Sequence, residues 1–157
     1  NWMNRQYLKN MPVDILMNYA KPEFESAGLN VSSARKFKAV IENARIRSNT
    51  VLEMIEHSAP FFNKLTFSND ELNSLKDNLS QLVLKYFSEK LSNKILWSEE
   101  EIKSLVKETG ENPNVSGKEL YSPLRLSLFG SSQGPDIPCL VDVLGVDESV
   151  KRIKSHL

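Results

Sequence analysis

The sequence holds few of the residues from which catalytic and metal sites are built. Its 157 residues include one cysteine, Cys139, and two histidines, His57 and His156. A single cysteine excludes an internal disulfide, and neither histidine is followed by a metal ligand four residues on. Cys139 stands in an apolar segment without a neighbouring base, which predicts a buried structural thiol. We therefore expect no catalytic residue and no metal site in this chain.

Glycine-rich phosphate-binding loops are missing as well. Neither the Walker pattern nor Gly-x-Gly-x-x-Gly occurs, and the nearest segment, residues 130–135, does not follow a strand pattern. The acidic run at residues 99–101 could be paired carboxylates for acid–base chemistry, but the helix dipole alone favours such residues in a first turn. These absences favour a binding or scaffolding module over a self-sufficient enzyme.

The chain also lacks a long apolar run. No window combines a charged start with an apolar stretch long enough for a signal peptide or a membrane span, so we expect no membrane association. With one cysteine, a reducing cytoplasm is the natural location. The sequence begins at Asn1 rather than at a methionine, which predicts a segment of a longer protein.

Basic and acidic residues are equal in number. Lys plus Arg and Asp plus Glu number 20 each, so the basic balance typical of a nucleic-acid-binding domain is missing. Positive charge is nevertheless concentrated in one segment, opposed only by Glu42. Its members are Arg35, Lys36, Lys38, Arg45 and Arg47. This basic segment is either a solvated helix face or a contact surface for phosphate.

Hydrophobic spacing predicts an all-α fold. The strongest pattern predicts one long helix over residues 70–91. Its expected buried face consists of Leu72, Leu75, Leu79, Leu82 and Tyr86. Weaker patterns predict helices over residues 13–19, 34–45, 50–57, 139–144 and 147–157, with Lys21-Pro22 as a separator after the first.

Local signals predict where several helices begin and end. A serine followed three residues later by a glutamate forms a capping box. The pairs are Ser68 with Glu71, Ser98 with Glu101, and Ser116 with Glu119. We also expect Pro123 in the first turn of a short helix that Gly130 ends, and Asp147 as the cap of the last helix. The chain then divides into two small helical subdomains, residues 1–67 and 68–157.

The order of several short motifs resembles the C-terminal region of glutamyl-tRNA synthetases. In the second half they are residues 97–102, 117–121, 123–125, 128–130, 134–135, 144–145 and 151–153. In the first half they are Trp2 to Leu8, then Arg47, Thr50, Glu53 and Phe61-Phe62. The resemblance implies the two helical subdomains that hold the anticodon loop of tRNA(Glu), in a monomer. It places ATP, Mg²⁺ and glutamate ligation in a catalytic half of the parent enzyme, so no cofactor is expected in these residues.

The resemblance also implies which residues contact RNA. The Pro-Leu-Arg region and the Gly-Pro turn lie at the anticodon in this family. They correspond here to Ser122, Arg125, Gly134, Pro135 and Ile137. Arg45 and Arg47 fall where the first subdomain faces the third anticodon base. Ser122 stands where relatives often carry a larger polar residue, and Gly134 where some carry a hydroxyl.

Three questions stay open at the level of sequence. Arg125 either extends its guanidinium toward a splayed base or pairs with Glu119 and braces its helix. The chain itself is either an RNA-recognition module or a helical protein–protein adaptor, and the parent charges either tRNA(Glu) alone or tRNA(Gln) as well.

Overall fold

The computed structural model describes residues 5–111 and 113–157. The predicted motif residues Trp2, Met3 and Asn4 lie outside the described residues. Within the described ranges the chain forms ten α-helices and no strand, which confirms the predicted all-α class. No helix of these ranges is long and apolar enough to cross a membrane.

The chain consists of two compact units, Asn1–Lys64 and Leu65–Leu157. The boundary predicted after Phe67, and the role of each subdomain, stay predictions. The described part of the first unit contains α1 (Arg5–Asn10), α2 (Val13–Ser26), α3 (Ala34–Arg47) and α4 (Val51–Phe62). The second unit contains α5 (Asn69–Lys76), α6 (Asn78–Leu91), α7 (Glu99–Glu111), α8 (Lys118–Phe129), α9 (Ile137–Leu144) and α10 (Val146–Lys154).

In the first unit, α3 packs against α1, α2 and α4. Phe24 of α2 and Phe37 of α3 meet edge to face, with ring centroids 5.2 Å apart. The separator predicted at Lys21-Pro22 is wrong, because both residues lie inside α2. The apolar face of α2 continues past the proline to the fully buried Phe24. Its burial offsets the backbone hydrogen bond that Pro22 cannot donate.

The long helix predicted over residues 70–91 is wrong in one important respect: it breaks at Asp77. This residue has an extended backbone and ends α5, and its carboxylate accepts a 2.8 Å bond from the amide of Ser80 at the start of α6. The break changes the helical phase. Leu75 is buried as expected, but Leu72, Leu79 and Leu82 are exposed. The buried face of α6 consists instead of Ser80, Val83, Leu84, Phe87, Ser88 and Leu91.

Helix α6 is the centre of the second unit, where it packs against α5, α7, α8 and α10. The guanidinium of Arg152 on α10 donates a 2.8 Å bond to the carbonyl of Leu128, at the end of α8. On α9, Leu140 and Val141 take the buried face. Cys139 is therefore partly exposed, and the prediction that its thiol is buried is wrong.

The predicted helix ends have mixed outcomes. The capping boxes of Ser68 with Glu71 and Ser98 with Glu101 are confirmed, each by two reciprocal bonds of 2.9 to 3.2 Å. The third is wrong, because α8 starts after Gly117 without a side-chain cap. That start places Pro123 in the middle of α8, and Gly145 rather than Asp147 precedes α10. Gly130 ends α8 in the left-handed conformation, as predicted.

We predict that Asp77→Ala lowers the free energy of unfolding by about 1 kcal/mol, because α6 loses its N-terminal cap. The matched control is Asp70→Ala, which removes an exposed carboxylate from the first turn of α5 but no cap. Its cost should be smaller, about 0.5 kcal/mol. Urea unfolding of the two variants measures the difference, and equal losses would contradict the capping role.

The C-terminal His156 is buried in the second unit. Its ring meets that of Phe67 edge to face at 4.7 Å, and its backbone carbonyl accepts bonds from Lys76 at 3.2 Å and Gln81 at 2.8 Å. Burial, and secondly the charge of Lys76, lower the pKa of His156 from its ordinary 6.5. The fold therefore favours the neutral imidazole.

This pKa predicts a loss of stability in mild acid. Below the ordinary pKa of 6.5, the unfolded chain binds more protons than the folded chain does. Stability should be full above that value and should fall as pH drops through the lowered folded pKa. In His156→Phe, the loss between about pH 7.5 and about pH 5 should be smaller than in the unchanged chain. Denaturant unfolding at both pH values tests this, and an identical loss in both proteins would count against it.

Candidate functional site

A groove lies between one face of α8 and the loop of residues 130–136, within the second unit. Its volume is about 540 Å³. The helix contributes positions three and four residues apart, which share one face. The lining residues are Gly117, Lys118, Tyr121, Ser122 and Arg125 from α8 and its start, with Ser132 and Gln133 from the loop.

Arg125 ties the loop to the helix. Its Nε donates to the carbonyl of Pro135 at 3.0 Å, and its Nη1 donates to the carbonyl of Ser132 at 3.2 Å. An RNA contact by Arg125 stays a prediction. Its guanidinium is directed at loop carbonyls rather than extended outward, and the bracing partner is the loop rather than Glu119. Arg125 thus sets the shape of the groove.

The turn at Gly134 depends on close packing. Gly134 has a φ of +140°, and a Cβ at this position would lie 2.9 Å from the ring of Phe129. After this turn, the carboxylate of Asp136 accepts a 2.9 Å bond from the amide of Cys139 and caps α9. Glycine is required here both by the backbone conformation and by the neighbouring ring.

Pro135 and Ile137 follow this turn and point into the protein. Pro135 is buried, and Ile137 is 0% exposed in the first turn of α9. Neither side chain presents apolar surface to the groove in this structure, and an RNA contact at these two residues stays a prediction. Their effect on a ligand is indirect, since they anchor the loop that Arg125 holds.

Sequence reasoning missed Lys118, Tyr121 and Gln133. Tyr121 is 42% exposed, although Leu120 beside it and Leu124 one turn on are buried. The predicted helix start at Pro123 concealed the pattern. Once α8 begins at Lys118, the positions of Lys118, Tyr121 and Arg125 fall on one face at helical spacing.

The two remaining predicted residues belong to the first unit. The Nε of Arg45 donates to the carbonyl of Leu8 at 2.8 Å, and its guanidinium also donates to the carbonyl of Met11. These bonds hold the C-terminal end of α1. Arg47 is exposed and donates to the Asn43 side chain at 2.9 Å. Lys36, also in the basic segment, bonds the carbonyl of Phe61 at 2.9 Å. Part of that segment therefore stabilises the first unit.

The family model described as anticodon binding domain matches residues 13–157. The chain belongs to the anticodon binding domain family. Its curated relatives include the glutamate–tRNA ligases of Carboxydothermus hydrogenoformans, 31% identical over 98% of this chain, and Aquifex aeolicus, 32% identical over 97%. Both alignments cover 33% of the relative, so the chain spans about a third of the length of these ligases.

Solved structures agree with this assignment. A glutamate–tRNA ligase from Elizabethkingia meningosepticum matches with a TM-score of 0.84 at 24% identity, over 99% of this chain and 31% of that chain. The glutamate–tRNA synthetase of Elizabethkingia anophelis matches with a TM-score of 0.79 at 26% identity, over 99% and 30%. The resemblance to glutamyl-tRNA synthetases found in the sequence motifs is confirmed, and so is the helical fold of their anticodon-binding region.

We predict that Gly134→Ala destabilises this anticodon-binding domain more than Gly28→Ala does. Gly28 also has a positive φ, +83°, but a Cβ there would meet no atom within 4 Å. Gly28→Ala should cost about 1–2 kcal/mol of backbone strain. Gly134→Ala adds the displacement of the buried Phe129 ring, about 1 kcal/mol more. Thermal unfolding of the two variants measures the order, and a reversed order would refute the role of the ring.

Proposed function

We propose that this chain binds the anticodon loop of tRNA(Glu) as the anticodon-binding part of a glutamate–tRNA ligase. The observation that carries the proposal is the groove between α8 and the 130–136 loop, in a member of the anticodon binding domain family. Proteins bind single-stranded RNA loops by stacking unstacked bases on aromatic rings and by hydrogen-bonding their edges. The groove offers a ring, an amide, a hydroxyl and a cation for these contacts.

The proposed parent enzyme ligates glutamate to tRNA, acting as a monomer in the cytoplasm. Its relatives carry the name glutamate–tRNA ligase, and this chain corresponds to about a third of their length. ATP and Mg²⁺ would be bound by the catalytic half. Within residues 5–111 and 113–157, no cluster of His, Cys, Asp and Glu fits a metal ion. The part played by this chain is recognition of the anticodon.

Among the residues first implied by the family, we propose different roles. Ser122 contacts RNA directly from the groove, whereas Arg125, Gly134, Pro135 and Ile137 maintain the loop. Arg47, exposed at the end of α3, is the residue of the first unit that we propose for an RNA contact. We propose for Arg45 the support of α1 that its bonds to backbone carbonyls provide.

A protein–protein adaptor is the alternative function. One observation favours it: Ile95 and Leu96, between α6 and α7, are each 84% exposed. Exposed apolar side chains of this size commonly mark protein contacts. An adaptor, however, has no reason to bind an anticodon hairpin with an affinity that depends on salt.

We predict that the chain binds an RNA hairpin carrying the glutamate anticodon, and that affinity falls as salt rises. The slope of log K against log salt should be shallow, about −0.7 for each phosphate neutralised in a single-stranded loop. The dependence should be shallow because few phosphates are neutralised, since Lys118 and Arg125 are the basic residues that line the groove. Fluorescence anisotropy over a salt series measures it. A hairpin with an unrelated anticodon is the control.

Two results would contradict this proposal. The first is an affinity that does not change between low and moderate salt, because phosphate contacts release counterions. The second is equal affinity for the control hairpin, because recognition of the anticodon requires contacts with its bases.

A further inference from the structure

The side chains that line the groove fall into two sets. Arg125 is engaged, since its guanidinium bonds the carbonyls of Ser132 and Pro135. Over the part of the chain that the structure describes, the side chains of Lys118, Tyr121, Ser122 and Gln133 make no hydrogen bond, ion pair or ring contact. The engaged side chain holds the groove in shape, whereas the other four are available to a ligand.

Tyr121 is the largest of these available groups. It lies one turn after Lys118 and one turn before Arg125, on the face of α8 that borders the groove. Leu120, Leu124 and Leu128 of the same helix are all buried. These leucines hold the helix to the core, whereas Tyr121 is 42% exposed. A ring in this position adds apolar, flat surface to an otherwise polar groove.

The chemistry of the four available groups fits one nucleotide of a single strand. A tyrosine ring stacks on the face of any base, and a lysine ammonium pairs with a phosphate. A glutamine amide both donates and accepts, so it can bond a base edge. Of the residues that the structure describes, Lys118 is the one lysine that lines the groove, and Glu119 beside it is not among the lining residues.

We propose that Tyr121 is the stacking platform for one unstacked base of the anticodon loop, with Lys118 at a phosphate of the same strand and Gln133 at the edge of that base. The assignment rests on the proposed function. It gives the three residues different tasks. Stacking contributes affinity with little dependence on base identity, whereas the amide of Gln133 contributes selectivity.

The test uses the whole chain and an RNA hairpin with the glutamate anticodon. Tyr121→Ala should weaken binding about tenfold or more, because stacking on an aromatic ring is lost. Tyr121→Phe keeps the ring and should bind as the unchanged chain does. The matched control is Tyr19→Ala, since Tyr19 is 43% exposed on α2 and does not line the groove. It should leave affinity unaltered.

A second variant guards against unfolding. Tyr121→Leu keeps apolar bulk but removes the flat ring, so it should weaken binding at an unchanged melting temperature. In addition, hairpins with one abasic anticodon nucleotide locate the stacked base. At that position, removing the base should weaken binding by the unchanged chain. It should not weaken binding by the Tyr121→Leu variant any further, because that variant has already lost the stacking contact.

The outcomes separate the two proposals. If the unchanged chain binds the hairpin and folded Tyr121→Ala or Tyr121→Leu binds it equally well, the stacking assignment is overturned. If Tyr121→Phe loses affinity as Tyr121→Ala does, the ring is not the contact and the assignment is also overturned. If the unchanged chain does not bind the hairpin, the proposed function itself fails. Gln133→Ala should change the order of affinities for hairpins with different anticodons. An unchanged order would refute the contact proposed between Gln133 and the base edge.

Discussion

The candidate site depends on one interaction, the pair of hydrogen bonds from Arg125 to the carbonyls of Ser132 and Pro135. Two backbone acceptors in a short loop are satisfied by a single planar cation, which gives the loop one position relative to α8. The turn at Gly134, closed against Phe129, and the buried Ile137 fix the other end of the same loop. These contacts fix the frame of the groove and leave the side chains of Lys118, Tyr121, Ser122 and Gln133 available to a ligand.

The packing of the second unit explains why α8 presents that face to solvent. Helix α6 lies at the centre and contacts α8 and α10. Arg152 on α10 bonds the carbonyl of Leu128 near the end of α8, and Gly130 then ends the helix. These contacts hold the leucine face of α8 inward. Lys118, Tyr121 and Ser122 are consequently carried by a helix packed on the core, which keeps their spacing constant, whereas Gln133 lies on the loop that Arg125 holds.

The balance of charge is consistent with recognition by a few placed contacts. A chain with equal numbers of basic and acidic residues has no broad positive field to attract RNA. Part of its basic segment is also engaged inside the first unit, where Arg45 and Lys36 bond backbone carbonyls. Affinity for an anticodon loop would then come from stacking and edge contacts, with phosphate neutralisation as a smaller contribution.

Features determined by residues close in sequence could be predicted from the sequence alone. The all-α class, the capping boxes at Ser68 and Ser98 and the glycine stop at Gly130 each depend on contacts within one helical turn. The ordered motifs also indicated the family. The cap that Asp77 forms with Ser80 is also local, although the long leucine pattern concealed it, whereas the bonds of Arg125 to the loop and the burial of Ile137 were decided by tertiary structure. Each depends on which helix face the rest of the core covers, and that choice is made by residues distant in sequence.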